Sequence, residues 1–262
     1  MTISTIGSAR ASVLIATPVK NATGHLQRYV ENLRKLTYPH ALLSLALLES
    51  DSEDGSFERL LEIQEALKGE LRDVKVFKRD FGFRTALPRW ATEIQRERRS
   101  VIAKSRNHLF QRALADEDWV LWLDVDLADY PADVLERLVE VEKDIVVPHC
   151  VGQDGHTFDL NTFKFTEGAA ARDWSPFVHD GIVQPPKGEG RLYLEDLREH
   201  AIVSVDAVGG TMLLVRADLH REGLVFPTFS YKLYIETEGL AMMARDMGYL
   251  CWGLPHLVVT HT

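Results

Sequence analysis

The sequence predicts an α/β fold with a mainly parallel central sheet flanked by helices. Two observations carry that reading. Short, almost wholly apolar runs, of the kind buried on both faces of a sheet, alternate with amphipathic stretches through the first half of the chain. The runs stop at a proline or at acidic, turn-forming residues. With 262 residues, 45% apolar and 26% charged, the chain can build a full core and lacks the composition of a disordered one.

The elements follow in order. Ser12 to Thr17 (SVLIAT) is the first strand and ends at Pro18. Leu26, Tyr29, Val30 and Leu33 have helical spacing and predict a helix over 25–36, with Pro39 closing the unit. Leu43 to Leu48 (LSLALL) is the second strand and runs into the polar loop ESDSEDGS. A helix over 57–67 and a strand over 74–77 come next. Thr92 to Leu114 is a long basic amphipathic helix, and Trp119 to Leu123 (WVLWL) is an apolar strand that stops at Asp124. Pro131, in a favoured first-turn position, opens a helix to Lys143, and 145–147 is a further strand. Residues 151–190, rich in Gly, Pro, Asp and aromatics, predict a long irregular segment of functional kind. Regular structure resumes over 204–215, with a helix over 236–247 and a last strand over 257–261. The expectation is one domain, 1–262, in two lobes that meet near residue 150.

The formal net charge of −9 argues against a phosphate-backbone partner, so nucleic acid is not expected, nor is a polybasic membrane contact. Met1 to Arg10 carries no export signal and no apolar run reaches a membrane span, which predicts a chain without a transmembrane anchor, in the cytoplasm. Cys150 and Cys251 lie in apolar stretches and read as reduced core thiols rather than zinc ligands.

The sharpest signal is Asp124-Val125-Asp126 after WVLWL. On an extended chain residues two apart point to one side, so both carboxylates face one point at the carboxyl edge of the sheet, where parallel sheets bind ligands. Two hard oxygen donors suit Mn2+ or Mg2+, which would bridge a diphosphate. A solvated turn is the plain alternative. In ESDSEDGS, Asp51 is a candidate to accept hydrogen bonds from a base or ribose, whereas Asp54 reads as a helix cap. Asp159, Asn161 and Trp174 in the irregular segment are weaker candidates for sugar contacts, and Arg96, Arg98 and Arg99 read as a solvated helix face.

The motifs ATPVKNA, LTYPH, LLESDSEDGS, AKSRN, WVLWLDVD, IVVPHC, FDLNTF, DAVGGTMLLVRADLHREG, IETEGLAMMARDMGY and GLPHLVVTH stand in an order that resembles the fungal Golgi mannosyltransferase family of the mannan polymerase complexes. The resemblance runs from Val13 to His261 and is expected to be that of a bacterial or viral relative. It implies a GT-A (Rossmann-like) nucleotide-diphospho-sugar transferase fold, GDP-mannose as donor, Mn2+ as cofactor and retention at the anomeric carbon. It further implies a nucleotide-sugar-binding half over 11–150 and an acceptor-binding half over 151–262. By position it implies Asp124, Asp126 and His261 as metal ligands. Thr17, Pro18, Asn21 and Asp51 fall at the nucleotide edge, and Arg106 and Asn107 near the diphosphate or sugar. Gly209 and Gly210 would let the backbone approach the donor. Glu236, Glu238 and Asp206 are the implied catalytic acids. Thr237 stands where inverting relatives of the fold carry a base.

These expectations combine into a metal-dependent retaining α-mannosyltransferase acting on a glycan or other hydroxyl-bearing acceptor, alone, as a homo-oligomer or beside a partner glycosyltransferase. The rivals are the same fold with another nucleotide-sugar, a non-catalytic nucleotide- or glycan-binding relative, and a nucleotidyltransferase. ATPVKNATG is a poor phosphate loop for the last of these.

Overall fold

The computed structural model describes residues 11–262, so the reading of Met1 to Arg10 lies outside the described residues. The first half is β1 (Val13–Val19), α1 (Thr23–Arg34), β2 (Leu43–Glu49), α2 (Ser56–Leu67), β3 (Asp73–Lys78), α3 (Gln95–Ala113), β4 (Trp119–Leu123), β5 (Leu127–Asp129), α4 (Val134–Val139) and β6 (Ile145–Val151). The irregular segment holds four two-residue strands: β7 (Lys164–Phe165), β8 (Val178–His179), β9 (Ile182–Val183) and β10 (Arg191–Leu192). Then come β11 (Val203–Val205), β12 (Met212–Arg216), α5 (Ala217–Arg221), α6 (Glu236–Asp246) and β13 (Cys251–His261).

The main sheet has the order β11-β13-β6-β12-β4-β1-β2-β3, with β5 added on β13. Strands β1, β2, β3, β4, β6 and β13 run one way, and β5, β11 and β12 run the other. The parallel register of β1 with β2 and β4 brings the carboxyl ends of all three to one edge. Pro18, Asp51 and Asp124 therefore meet there, although they are far apart in sequence.

Alternation in the buried strands sorts the core into two layers. Val13 and Ile15 face α1, α2 and α4 through Leu26, Leu33, Leu60, Val134 and Leu138. Leu14 and Ala16 face α3 and α6 through Leu109, Phe110, Leu240 and Ala244. Both faces of the sheet are covered, which is why these strands read as continuous apolar runs. Trp174 belongs to a third cluster with Phe163, Val183 and Tyr193, and its Nε1 donates to the Ala169 carbonyl at 3.1 Å, so it is core and not a sugar platform.

Three boundaries differ from the sequence reading. The stretch 204–215 splits into β11 and β12, because the residues between them cross the end of β4, where Asp124 N–H donates to the Thr211 carbonyl at 2.9 Å. Helix α4 is short, and the chain after it turns through Glu142 at φ 50 before Asp144 pairs with Arg216 at 2.7 Å. Strand β13 starts at Cys251 rather than Leu257, and a register shift between Leu254 and Val258 lets it run on past Pro255. Its last residue, His261, lies opposite Leu127 of β5, next to Asp126. Both cysteines are buried and unpaired, and burial raises both thiols, that of Cys251 to about 12. Among the described residues no helix is long and apolar enough to cross a membrane.

Candidate active site

A cleft of about 1210 Å³ opens at the carboxyl edge of β1, β2 and β4. Asp124 and Asp126 line it, with Asp51, Asp159, Glu236 and His261 around them. Lys20, Arg84, Arg89, Arg98, Arg99 and Arg106 also line it, so cationic side chains gather here in a chain of net charge −9.

Arg106 is the centre of one network. It is 3% exposed, donates from Nη2 to Asp124 Oδ1 at 3.3 Å and to the Gly210 carbonyl at 3.3 Å, and brings Nε within 3.6 Å of Glu236. Arg99 donates to Glu236 at 2.7 Å. Arg99 and Arg106 are seven residues apart on α3, two turns, and so reach the same carboxylate. Burial alone would raise the Glu236 carboxyl, but these two guanidiniums hold it below the usual carboxylate range. Asp124 has only Arg106 in hydrogen-bond contact, at 3.3 Å. Burial pushes its carboxyl up to about 7, and Asp126, Glu236 and Asp159 push the same way against Arg106.

Asp126 belongs to a second network. Its Oδ1 meets His261 Nε2 at 3.2 Å and its Oδ2 lies 3.7 Å from Arg89. The His261 ring stacks on Phe158 at 3.7 Å between centroids. Burial works against both charges of the pair, yet each stabilises the other, so the His261 imidazole is raised and the Asp126 carboxyl lowered. Two carboxylates and an imidazole are a donor set that Mn2+ accepts. Among the described residues, however, no three His, Cys, Asp or Glu side chains stand grouped as a ready-made metal site. The carboxylates are instead engaged by Arg106 and His261.

At the other end of the cleft, Asp51 Oδ1 accepts from the N–H groups of Phe81 and Gly82 at 2.8 and 3.0 Å, while its buried Oδ2 has no hydrogen-bond donor. Burial, helped by Asp80 beside it, raises this carboxyl. Asn21 accepts from the Glu53 N–H at 2.9 Å and holds the β1 and β2 loops together. Asn21, Asp51 and Glu236 all have left-handed backbones, at φ 48, 58 and 58, and all line this cleft. Such conformations cost free energy outside glycine and tend to gather at functional sites. Asp54 stands one residue before Gly55, the N-cap of α2, and accepts from the Ser56 and Thr23 N–H groups at 3.0 and 3.1 Å, so it ties the starts of α2 and α1 together rather than occupying the cap position itself.

Five predicted positions have structural roles, and of these only Gly210 lines the cleft. Thr17 is fully buried; its hydroxyl contacts the Tyr29 hydroxyl and donates to the Leu123 carbonyl, each at 2.7 Å, so it anchors β4 rather than facing the cleft. Asn107 makes two hydrogen bonds to the Phe226 backbone, at 2.7 and 2.9 Å, and fixes the loop before α6. Asp206 pairs with Arg245 and accepts from the Phe165 N–H at 2.7 Å, outside the cleft. Gly209 and Gly210 make room for side chains: a Cβ on Gly209 would sit 1.5 Å from Asp159 Oδ2, and one on Gly210 2.4 Å from Arg106 Nη2. Glu238 is buried beside Arg191 at 3.5 Å, and burial raises its carboxyl to about 7. Sequence reasoning undervalued Arg98, Arg99 and Asp159. Arg98 lines the cleft and makes no ion pair among the described residues, and burial beside Arg99 lowers it. The seven-residue spacing of Arg99 and Arg106 was the available signal for Arg99, and the FDLNTF motif for Asp159.

Comparison with known proteins adds the relatives. The family model described as Anp1 matches residues 3–230. The "Mannan polymerase II complex anp1 subunit" of Schizosaccharomyces pombe is 32% identical over 278 residues, covering 97% of this chain and 64% of the relative. The "Mannan polymerase complex subunit MNN9" of Candida albicans is 31% identical over 279 residues, covering 96% of this chain and 75% of the relative. The chain thus spans about two thirds of the length of the first of these. Such fungal relatives correct the expectation of a bacterial or viral one. Among solved structures, the "Mannosyltransferase PcManGT from Pyrobaculum calidifontis in complex with GDP-Man and Mn2+" superposes with a TM-score of 0.58 at 17% identity, over 97% of this chain and 57% of that one. GalNAc-T7 "with UDP, GalNAc and Mn2+" gives a TM-score of 0.57 at 15% identity, over 97% and 44%. Likeness at this identity is one of fold, and the fold is GT-A.

Proposed function

The chain belongs to the Anp1 family, and on that premise we propose that it is a metal-dependent retaining mannosyltransferase that moves mannose from GDP-mannose to a hydroxyl of a glycan acceptor. The observation that carries the reading is the carboxylate pair Asp124 and Asp126 at the end of β4, with His261 beside it, under guanidiniums concentrated in an acidic protein. Names support the details. One relative by fold was solved with GDP-Man and Mn2+, and relatives by sequence are called mannan polymerase subunits. A partner glycosyltransferase subunit belongs to the proposal on the same ground, as does the division into a donor half over 11–150 and an acceptor half over 151–262.

Asp124, Asp126 and His261 would hold the cation, which when bound offsets the charge of the departing nucleoside diphosphate. Arg98, which makes no ion pair among the described residues, is the side chain free to take a diphosphate oxygen. Asp51 Oδ2 would accept from a ribose or base. Glu236, kept ionised by Arg99 and Arg106, would stabilise positive charge at the anomeric carbon. Its neighbour Thr237, which also lines the cleft, cannot act as a carboxylate base, in keeping with retention.

Calorimetry with GDP, GDP-mannose and a panel of UDP- and dTDP-sugars, in Mn2+ and in EDTA, tests the reading. Metal-dependent binding of GDP-mannose alone is the expected result. Equal binding of another donor would overturn the mannose assignment, and equal binding in EDTA the metal. A second reading, binding without transfer, draws on the contacts of Asp124 and Asp126 with Arg106 and His261 in place of a ready metal site. Tight donor binding with no hydrolysis and no transfer would favour it.

A further inference from the structure

Beside the cleft lies a second cavity of about 190 Å³. Gln95, Arg99, Leu160, Asn161 and Gln184 border both, so the two spaces are neighbours across these side chains. The remaining walls come from the irregular segment and the start of α6: Ile182, Val183 and Pro185 are apolar, and Arg191, Glu238 and Lys187 are charged. Arg191 is 7% exposed, sits over the Phe163 ring at 3.9 Å and approaches Glu238 at 3.5 Å. Its Nε and Nη2 have no hydrogen-bond acceptor. A buried guanidinium ordinarily satisfies its donors, so two donor nitrogens without an acceptor among the described residues, in a side chain that lines a cavity, call for acceptor atoms from outside the protein. Among the described residues the side chains of Asn161 and Gln184 make no hydrogen bond either, which leaves two amides for the same occupant.

We propose that this pocket holds one neutral sugar residue of the acceptor glycan, with Arg191 donating to its hydroxyl oxygens and Glu238 accepting from its hydroxyl groups. The inference rests on the glycosyltransferase reading above and names the acceptor side of it. A hydroxyl both donates and accepts, so a sugar ring satisfies a guanidinium and a carboxylate placed side by side. An anionic ligand would set a second negative charge against Glu238. The apolar walls suit the C–H faces of a pyranose, and the volume falls below the roughly 300–1000 Å³ of drug-sized sites, as a single ring requires. The position also fits transfer: Arg99, which borders both cavities, donates to Glu236 at 2.7 Å, so a sugar here would lie one side chain away from that carboxylate.

Saturation-transfer NMR of the folded protein with methyl α-mannoside and a mannose disaccharide, in Mn2+ and GDP, reads sugar binding without needing turnover. Donor hydrolysis and acceptor KM are measured on the same samples. Arg191→Lys and Gln184→Ala are the variants, the second serving if the first does not fold. The expected result is sugar binding by the parent protein, a fall of about tenfold or more in sugar affinity in the variants with a matching rise in acceptor KM, and donor affinity held within about threefold. Unchanged sugar binding in folded variants overturns the proposal, as does an equal loss of donor binding, or a parent protein that binds neither sugar. Failure of the broader reading has a different signature: a parent protein that binds no nucleotide-sugar with or without metal.

Discussion

Asp124 shows what a single residue contributes to the site and costs the fold. Its carboxyl is raised to about 7 by burial, so the folded chain prefers it protonated. A group of this kind supports the fold below its unfolded value and ceases to do so as pH rises through about 7. Asp124→Asn is therefore expected to abolish metal-dependent donor binding in calorimetry while leaving Tm at about pH 8 unchanged or higher. A clear drop in Tm would recast Asp124 as structural. Glu238 carries the same sign, being raised to about 7 inside the protein. Glu238→Gln should flatten the decline of Tm between about pH 5 and about pH 7, and an unaltered profile would contradict the raised carboxyl. Gly209 is the third case. A Cβ there meets the Asp159 carboxylate, so Gly209→Ala should destabilise by about 1–3 kcal/mol in denaturant titration, and pairing it with Asp159→Ala should recover much of the loss. Additive losses would place the strain elsewhere.

Elements set the distances that residues then use. Strand β4 ends where it does because Thr17 on β1 donates to the Leu123 carbonyl while Tyr29 of α1 holds the same hydroxyl. Thr17→Val keeps the shape and removes both bonds. The expected cost is about 1–3 kcal/mol in chemical denaturation, with weaker donor binding because the Asp124 turn loosens. Full stability in that variant would show that strand pairing alone positions the turn. Helix α3 delivers Arg99 and Arg106 to one carboxylate, and α6 delivers that carboxylate from a left-handed first residue, Glu236. Strand β13 crosses the sheet from Cys251 and sets His261 beside Asp126. Each of these contacts depends on where an element ends, and ends are what local propensity determines least.

Across the whole molecule, opposite charges converge on the cleft. The chain carries −9 overall, yet its cleft gathers Lys20, Arg84, Arg89, Arg98, Arg99 and Arg106. Asp51, Glu53, Asp124, Asp126, Asp159 and Glu236 line the same cleft, so an anionic donor would meet the guanidiniums only locally, an attraction that salt screens over about 10 Å at 0.1 M. Donor Kd is accordingly expected to rise several-fold between about 0.05 and about 0.3 M NaCl at constant Mn2+, and a salt-independent Kd would assign the guanidiniums a purely internal role. The sequence by itself determined the layered α/β fold, the strand-end carboxylates Asp124 and Asp126 and the family, because apolar period, turn chemistry and motif order are local properties of the chain. Only the tertiary structure decided which motif residues reach the cleft. Thr17, Asn107 and Asp206 turn to internal hydrogen bonds, and Gly209 and Gly210 yield space to Asp159 and Arg106. Arg98 and Arg99 leave the solvated face the sequence assigns them and line the cleft instead. The physical reason is that a side chain's partners are set by strand register and helix packing, which join residues about a hundred positions apart and leave no trace in local spacing.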